Sequence, residues 1–272
     1  MILRCLALIA ALAATSAQAG CGDAPEPCSI AGGTYHITLP DTARPDGPAV
    51  VFLHGWGGTG ADMLRMTAMV AAIRGRGHAL ILPDGLPRDR GRGQSWAFHP
   101  DRPGPRDEAA FLRAVADDAA TRFGLNRDRM LLAGFSIGGS MTSYVACNDP
   151  QAFAAYAPVA GAFWRPHPTG CAAPVQLFHT HGWTDRTVPL EGRQLGSGFA
   201  QGDVFASLEI WREALRCRSP DPDRSSADGP FWLRHWDRCA PGSSLHLALH
   251  GGGHSVPKGW ADMALDWFST LN

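Results

Sequence analysis

Short apolar runs, separated by polar stretches of helical length, dominate the hydrophobic pattern of this chain. Runs of about 4–8 apolar, β-branched or aromatic residues are typical of strands that are buried on both faces of a sheet. Strands of this kind that alternate with helices predict an α/β fold, with a mostly parallel central sheet flanked by helices. Thr34–Leu39 alternates apolar and polar residues and predicts an edge strand. The predicted buried strands are Ala49–Leu53, Ala79–Leu82, Met130–Ala133, Phe153–Val159, Val175–His179 and Leu245–Leu249.

Two stretches have the apolar spacing of amphipathic helices. Ala61–Ile73 repeats apolar residues at helical intervals and is followed by glycines that end it. Asp107–Phe123 starts with a residue whose carboxylate can cap a helix, and Gly124 follows in the position that favours a left-handed end. Between these helices, Leu86–Arg106 predicts a long polar loop.

Glu191–Ser243 departs from the alternation of strands and helices. It carries Trp211, Trp232, Trp236, two cysteines and a portion rich in Pro, Asp and Ser. We expect an excursion above the sheet, with a helix and a loop tied by a disulfide. Its tryptophans either line a substrate cleft or pack the excursion against the domain. Since no linker or repeat divides the chain, we expect one domain over 20–272 with a cap-like insertion over 191–243.

The first residues predict a signal peptide. Met1–Ala19 has a positive start at Arg4, an apolar core over Leu6–Ala14 and a small-residue cleavage site. The apolar run is too short to span a bilayer, so we expect a secreted or periplasmic protein. A lipoprotein anchored through Cys21 is disfavoured because Gln18 occupies a position that usually holds an aliphatic residue.

Six cysteines remain after the predicted signal peptide, and in an exported chain they indicate three disulfides. No pair has the CxxC spacing of a metal site, and we expect neither a metal nor a cofactor. The formal net charge of −1 argues against nucleic acid as a partner, and the oligomeric state is not readable. Proximity in the sequence favours the pairs Cys21–Cys28, Cys147–Cys171 and Cys217–Cys239.

A serine between a buried strand and a helix is the candidate nucleophile. Residues 134–138 read GFSIG, directly after the strand Met130–Ala133 and before small residues that begin a helix. Glycines two positions before and after Ser136 let the strand and the helix pass closely at a sharp turn. The alternative is a tight turn without catalytic function.

A serine nucleophile needs a base and an orienting carboxylate, which in this architecture follow in the order Ser, Asp, His at the ends of later strands. Asp185 follows the strand Val175–His179; alternatively, it caps a turn. His254 follows the last strand and three glycines. A zinc-binding helix with His246, His250 and His254 is the alternative, but the alternating leucines and the glycines favour a strand and loop.

Stabilisation of an oxyanion needs hydrogen-bond donors, and backbone amides are the candidates. One is the amide of Ile137, which follows the nucleophile, and the other is that of Trp56 in the loop HGWGG after the strand Ala49–Leu53. We expect His54 to bond within that loop and Asp84, which precedes the serine, to be structural.

With these residues in place, the chain resembles the secreted polyhydroxybutyrate depolymerase and feruloyl esterase group of α/β-hydrolases. The resemblance rests on four stretches in the same order across most of the chain: LHGWGGTG at 53–60, GFSIGGSM at 134–141, HGWTDRTVP at 181–189 and GGGHSVP at 251–257. It implies a secreted serine esterase without metal or cofactor, with Ser136 as nucleophile, Asp185 as acid and His254 as base.

The expected function is hydrolysis of carboxylic esters, with short hydroxyacid oligomers or aromatic, feruloyl-type esters as substrates. Trp56 and Trp183 are the candidate substrate-binding residues because both lie near the predicted triad in the sequence pattern. Two alternatives stay open at this point. One is a serine peptidase or amidase on the same scaffold, and the other is a non-catalytic exported protein that binds glycans or aromatic ligands.

Overall fold

The computed structural model describes residues 20–22, 24, 26–42, 44–88 and 91–271, so the predicted signal peptide lies outside the described residues. The six helices described are α1 (Gly60–Met63), α2 (Thr67–Gly75), α3 (Glu108–Phe123), α4 (Ile137–Asn148), α5 (Val204–Ala214) and α6 (Trp260–Ser269). The strands are β1 (Cys28–Ile30), β2 (Gly33–Thr38), β3 (Gly47–Leu53), β4 (Ala79–Pro83), β5 (Leu86–Pro87), β6 (Gln94–Ser95), β7 (Leu125–Phe135), β8 (Ala155–Val159), β9 (Trp164–Arg165), β10 (Gln176–Gly182), β11 (Arg193–Gln194), β12 (Ala200–Gln201), β13 (Arg224–Asp228), β14 (Phe231–Trp236) and β15 (Ser244–His250).

A ten-stranded central sheet has the order β1-β2-β4-β3-β7-β8-β10-β15-β14-β13. The six inner strands, from β4 to β15 in this order, run parallel, whereas the two pairings at each margin of the sheet are antiparallel. The expected mostly parallel sheet is therefore confirmed. Its carboxyl edge collects the loops that follow β3, β7, β10 and β15, and open parallel sheets bind ligands at this edge.

Apolar side chains are buried on both faces of the sheet. In β3, Val51 packs into one cluster, while Val50 and Phe52 pack into the other. Helices α3, α4 and α5 cover the first face, and α2 and α6 cover the second, where Trp260 contacts Phe52 edge-on. Because helices cover both faces of the sheet, a strand such as β3 is apolar at successive positions and does not alternate with polar residues.

The predicted helix over 107–123 is confirmed at both ends. The Asp107 carboxylate accepts a hydrogen bond from the Ala110 amide, and Gly124 closes the helix with a φ of 65°. The predicted helix over 61–73 is wrong in detail, because it is divided into α1 and α2 at Met66, where ψ is 59°. This break allows apolar residues on both sides of it to pack against the core.

Two further expectations need correction. The strand predicted over Thr34–Leu39 is not the margin of the sheet, because β1 pairs with β2 on its outer side. The long loop over Leu86–Arg106 contains a short hairpin of β5 and β6. Both corrections involve strands of two or three residues, which are too short for periodicity to reveal.

The segment 191–243 differs from the expectation in its second half. Instead of lying above the sheet, β14 pairs with β15 and, with β13, extends the central sheet by a hairpin. Trp211 on α5 and Trp236 on β14 are buried in the core, whereas Trp232 is exposed on the hairpin. Trp211 and Trp236 thus pack the segment against the domain, and the described lining of the site cavity reported below contains none of the three tryptophans.

Disulfides join Cys21 to Cys28, Cys147 to Cys171 and Cys217 to Cys239, which are the pairs that proximity favours. The second bond links the end of α4 to the segment before β10. The third ties the end of α5 to the segment between β14 and β15. None of the described helices has the length and apolar character needed to cross a bilayer.

Candidate active site

Ser136 occupies a strained turn between β7 and α4. Its φ of 59° and ψ of −121° are unusual for a residue with a side chain, and such strain is typical of functional turns. The Ser136 amide donates to Val159 O at 2.9 Å, which holds the turn against β8. A Cβ atom at Gly134 would lie 2.5 Å from Gly138 O, and one at Gly138 would lie 2.5 Å from Leu53 O. Both glycines are thus required by the close approach of strand and helix.

His254 lies in the loop after β15 and faces the serine. The Ser136 hydroxyl donates to His254 Nε2 at a distance of 2.8 Å. The ring of Phe135 packs against the imidazole, with 4.7 Å between ring centroids. In the described structure, His246 and His250 belong to β15 itself, so the three histidines do not share a helix as the zinc alternative requires.

Asp185 orients this imidazole from the other side. His254 Nδ1 lies 2.7 Å from Asp185 Oδ2, and the carboxylate is fully buried. Asp185 Oδ1 accepts hydrogen bonds from the amides of Thr187 and Val188 at 2.8 and 2.9 Å. Burial alone would raise the pKa of Asp185, but the bonds from His254 and the two amides hold this pKa below its usual value. The carboxyl group is therefore ionised at neutral pH.

An ionised Asp185 fixes the tautomer of His254. Because the carboxylate is only an acceptor, His254 Nδ1 carries the hydrogen, and Nε2 presents a lone pair to Ser136. This arrangement allows His254 to take the proton of the serine hydroxyl and to be stabilised as an imidazolium by the buried carboxylate.

Two buried histidines support the loop that carries Asp185. His181 Nε2 donates to Val188 O at 2.8 Å, and His179 Nε2 donates to His181 Nδ1 at 3.1 Å. Burial lowers the pKa of both imidazoles, and the neighbouring His181 lowers that of His179 further, so both are neutral. The sequence pattern gives no signal for the supporting role of His179.

The amides of Ile137 and Trp56 have no hydrogen-bond acceptor among the described residues. Their neighbours do: the Gly57 amide donates to Gln94 O, and the Gly58 amide donates to Gly55 O. Ile137 is the first residue of α4, where amides point out of the helix without partners. Among the described residues, no acceptor thus competes for either candidate amide.

His54 and Asp84 have the structural contacts expected from the sequence. His54 Nδ1 donates to Gly55 O at 2.8 Å, and its Nε2 accepts from the Gly85 amide at 3.0 Å. Burial lowers the pKa of His54, so this histidine is neutral. Asp84 accepts hydrogen bonds from the Thr34 hydroxyl and the Gly60 amide.

A cavity of about 430 Å³ opens at Ser136, within the size range of small-molecule sites. Trp56 lines it while remaining 61% exposed, and the guanidinium of Arg88 covers the Trp56 ring at 4.2 Å. Trp183 is exposed and absent from the described residues that line the cavity. The wall contains four further aromatic residues and two arginines, which the sequence pattern does not reveal because they lie on separate loops and two-residue strands without periodicity: Trp96, Phe98, Trp164, Phe199, Arg102 and Arg193.

Several curated proteins are related to this chain in sequence. A protein named as an esterase, NocK of Nocardia uniformis subsp. tsuyamanensis, is 28% identical over 249 residues, which cover 82% of this chain and 70% of that protein. Feruloyl esterase D of Neurospora crassa is 23% identical, with 93% of this chain and 88% of that protein covered. A bifunctional acetylxylan esterase/xylanase of Neocallimastix patriciarum is 26% identical over 83% of this chain, but the match spans 31% of that longer protein. No family model matches the chain.

Solved structures share the fold at low sequence identity. An acetyl xylan esterase from Aspergillus awamori superposes with a TM-score of 0.61 at 15% identity, covering 88% of this chain and 94% of that one. A carboxylesterase from Mesorhizobium loti gives a TM-score of 0.59 at 16% identity, with 89% and 97% covered. At such identities the likeness speaks for the fold, and the sequence relatives carry the functional comparison.

Proposed function

We propose that this chain, which is similar in sequence to named esterases and shares the fold of solved carboxylesterases, hydrolyses carboxylic esters through an acyl-enzyme formed on Ser136. The observation that carries the proposal is the continuous line of hydrogen bonds from the Ser136 hydroxyl through His254 to Asp185. A buried carboxylate, an imidazole of fixed tautomer and a strained serine are the parts that nucleophilic acyl transfer requires.

In the acylation step, His254 Nε2 takes the hydroxyl proton while Ser136 Oγ forms a bond to the ester carbonyl carbon. The carbonyl π electrons move to oxygen and give a tetrahedral oxyanion. As this intermediate collapses, the bond to the alcohol oxygen breaks, and the imidazolium delivers its proton to that oxygen. Water then repeats the sequence on the acyl-enzyme, with His254 as base, and releases the carboxylic acid.

The amides of Ile137 and Trp56 are the proposed donors to the oxyanion. Their lack of acceptors among the described residues supports this role, since an unpaired N–H gains most from a charge that develops during reaction. Loss of a single donor of this kind costs about 10²–10³-fold in kcat in other hydrolases.

For substrates we propose esters of short hydroxyacid oligomers or of aromatic, feruloyl-type acids. The aromatic wall of the cavity suits a planar or apolar acyl group, and one relative is named feruloyl esterase D. We further propose that a signal peptide directs the protein out of the cytoplasm. The three disulfides support an oxidising location.

Labelling with a fluorophosphonate, followed by peptide mapping, tests the proposal directly. We expect the label on Ser136, turnover of p-nitrophenyl acetate and butyrate, and loss of both in Ser136→Ala. Ser143→Ala is the matched control, because Ser143 is buried in the same helix and its hydroxyl donates to Gly139 O, with no other partner among the described residues.

Three results would contradict parts of the proposal. Substantial turnover by Ser136→Ala would exclude Ser136 as nucleophile. Label on Ser136 with cleavage of amides but not of esters would indicate a serine amidase. Absence of both label and turnover in folded protein would favour a non-catalytic binding protein.

A further inference from the structure

The cavity at Ser136 is positively charged, although the chain as a whole is not. Arg102 and Arg193 line the cavity, and none of the described residues that line it is acidic. The whole chain has 24 Lys and Arg against 25 Asp and Glu, so its average composition does not explain this lining. Positive charges in a confined cleft attract an anionic ligand and raise its local concentration.

Arg193 is held in place by its neighbour across a short strand pair. Arg193 on β11 is paired in register with Gln201 on β12. Its Nε donates to Gln201 Oε1 at 3.0 Å, and Gln201 is buried. No described carboxylate lies within ion-pair distance of Arg193, and no described acceptor is bonded to its Nη atoms. The terminal nitrogens of a fixed guanidinium are therefore open to a ligand in the cavity.

Arg102 is fixed by an aromatic ring of the same wall. Its guanidinium carbon lies 3.8 Å from the centroid of the Phe199 ring, in a cation–π contact. Phe199 in turn packs edge-on against Trp164, with 5.3 Å between the centroids. Arg102 thus adds a fixed positive charge to the wall of the cavity.

We infer that the preferred substrates are esters that also carry an ionised carboxylate, which Arg193 recognises in a cavity made more positive by Arg102, while the apolar wall holds the rest of the molecule. The inference rests on the proposed function at Ser136. The carboxylate belongs either to the acyl part, as in a half-ester of a dicarboxylic acid, or to the alcohol part, as in an acylated hydroxy acid. Both share one recognition chemistry, a planar anion that matches the geometry of a guanidinium.

Matched pairs of charged and neutral esters test the inference. On the acyl side, the p-nitrophenyl ester of glutaric acid is compared with that of glutaric monoamide. On the alcohol side, β-acetoxybutyrate is compared with β-acetoxybutanamide, with acid release followed in a pH-stat. The readout is the ratio of kcat/KM for the charged ester to kcat/KM for its amide, so general losses of activity cancel.

In the native protein we expect a ratio of roughly ten in at least one pair. A charge-assisted hydrogen bond at an exposed site changes an affinity by about tenfold. Arg193→Gln should lower this ratio about tenfold, through KM rather than kcat, and Arg193→Glu should invert it. Arg129→Gln is the matched control, because Arg129 is exposed near the amino end of β7 and does not line the cavity. About 0.5 M NaCl should also reduce the ratio in the native protein, because salt screens exposed charges.

A probe that needs no variant is inhibition by glutarate. We expect glutarate to compete with p-nitrophenyl acetate in the native protein and to do so more weakly in Arg193→Gln. A ratio near one for both ester pairs, together with no inhibition by glutarate, would overturn the inference. In that case label on Ser136 and turnover of neutral esters would still support the proposed function. If label and turnover are both absent, the proposed function fails first, and the inference fails with it.

Discussion

Asp185→Asn changes one oxygen of the buried carboxylate to an amide nitrogen. The remaining oxygen can still accept from the Thr187 and Val188 amides, as Oδ1 does now at 2.8 and 2.9 Å. The new amide group then faces His254 Nδ1 with a hydrogen of its own. Two N–H groups cannot form a hydrogen bond with each other. The imidazole therefore carries its hydrogen on Nε2 instead of Nδ1, and Nε2 becomes a donor toward Ser136.

A donor at Nε2 cannot take the serine proton, so we expect kcat to fall by about 10⁴-fold, as for the same change in other Ser-His-Asp enzymes. This factor corresponds to about 5 kcal/mol in the activation free energy. The fold should persist, because the two loop amides keep their acceptor and no cavity is created. The variant thus removes the role of Asp185 in orienting His254 and keeps its role in supporting the loop.

The assay is hydrolysis of p-nitrophenyl acetate under saturating conditions, with unfolding by urea measured on the same samples. Asp237→Asn is the matched control, because Asp237 Oδ1 lies 2.8 Å from His246 Nε2 in a similar pair at the sheet margin. We expect this control to keep its kcat. A loss of less than about tenfold in Asp185→Asn, or about 1.4 kcal/mol, would refute the role assigned to Asp185. So would an equal loss in Asp237→Asn.

Three further predictions concern stability and are measured by urea unfolding. Gly138→Ala should lower the free energy of unfolding by about 1–3 kcal/mol, because the new methyl group meets a backbone carbonyl oxygen of β3, whereas Gly75→Ala, with nothing within 4 Å, should not be destabilising. Replacement of both Cys147 and Cys171 by serine should cost about 3 kcal/mol, as for a loop of this length, and an unchanged midpoint would contradict the entropic argument. Burial lowers the pKa of His235 from 6.5 to about 4, so the unfolded chain binds more protons between these values and stability should fall as the pH decreases through that range. His235→Asn should flatten this decline, and an identical pH dependence in both proteins would show that His235 does not cause it.

Much of the fold could be predicted because its elements have strong local signals. The buried strands, the capped ends of α3 and the serine between β7 and α4 each combine a period with a specific start or stop residue. The structure also brings together Ser136, Asp185 and His254, which the sequence singled out from their order after separate strands. Their catalytic roles stay predictions until the labelling and the variants are measured.

The cavity wall and the margins of the sheet could not be predicted. The hairpin β13–β14 joins the sheet through backbone pairing of β14 with β15, and nothing in the polar sequence RSSAD of β13 indicates a strand. Arg102 on a loop and Arg193 on the short strand β11 approach the same cavity from segments that are distant in sequence. Proximity of this kind depends on the path of loops, for which hydrophobic periodicity carries no information.

Backbone hydrogen bonds set the contact between Asp185 and His254, whereas they do not fix the position of Arg193 in the cavity wall. Strands β10 and β15 are parallel neighbours, and Gly182 is in register with His250. Beyond the strands, the Trp183 amide donates to His250 O at 2.8 Å and the Thr184 amide donates to Gly252 O at 3.1 Å.

These backbone bonds join the loop that carries Asp185 to the loop that carries His254, independently of the side chains. The close approach is strict, because a Cβ atom at Gly182 would lie 2.3 Å from Gly253 O. The part of the cavity wall that carries Arg193 has less backbone support: Arg193 is exposed, and β11 and β12 have two residues each. Substitutions in this wall should therefore alter the choice of substrate at little cost in stability, whereas Gly182→Ala should separate base from acid and abolish turnover of every ester alike.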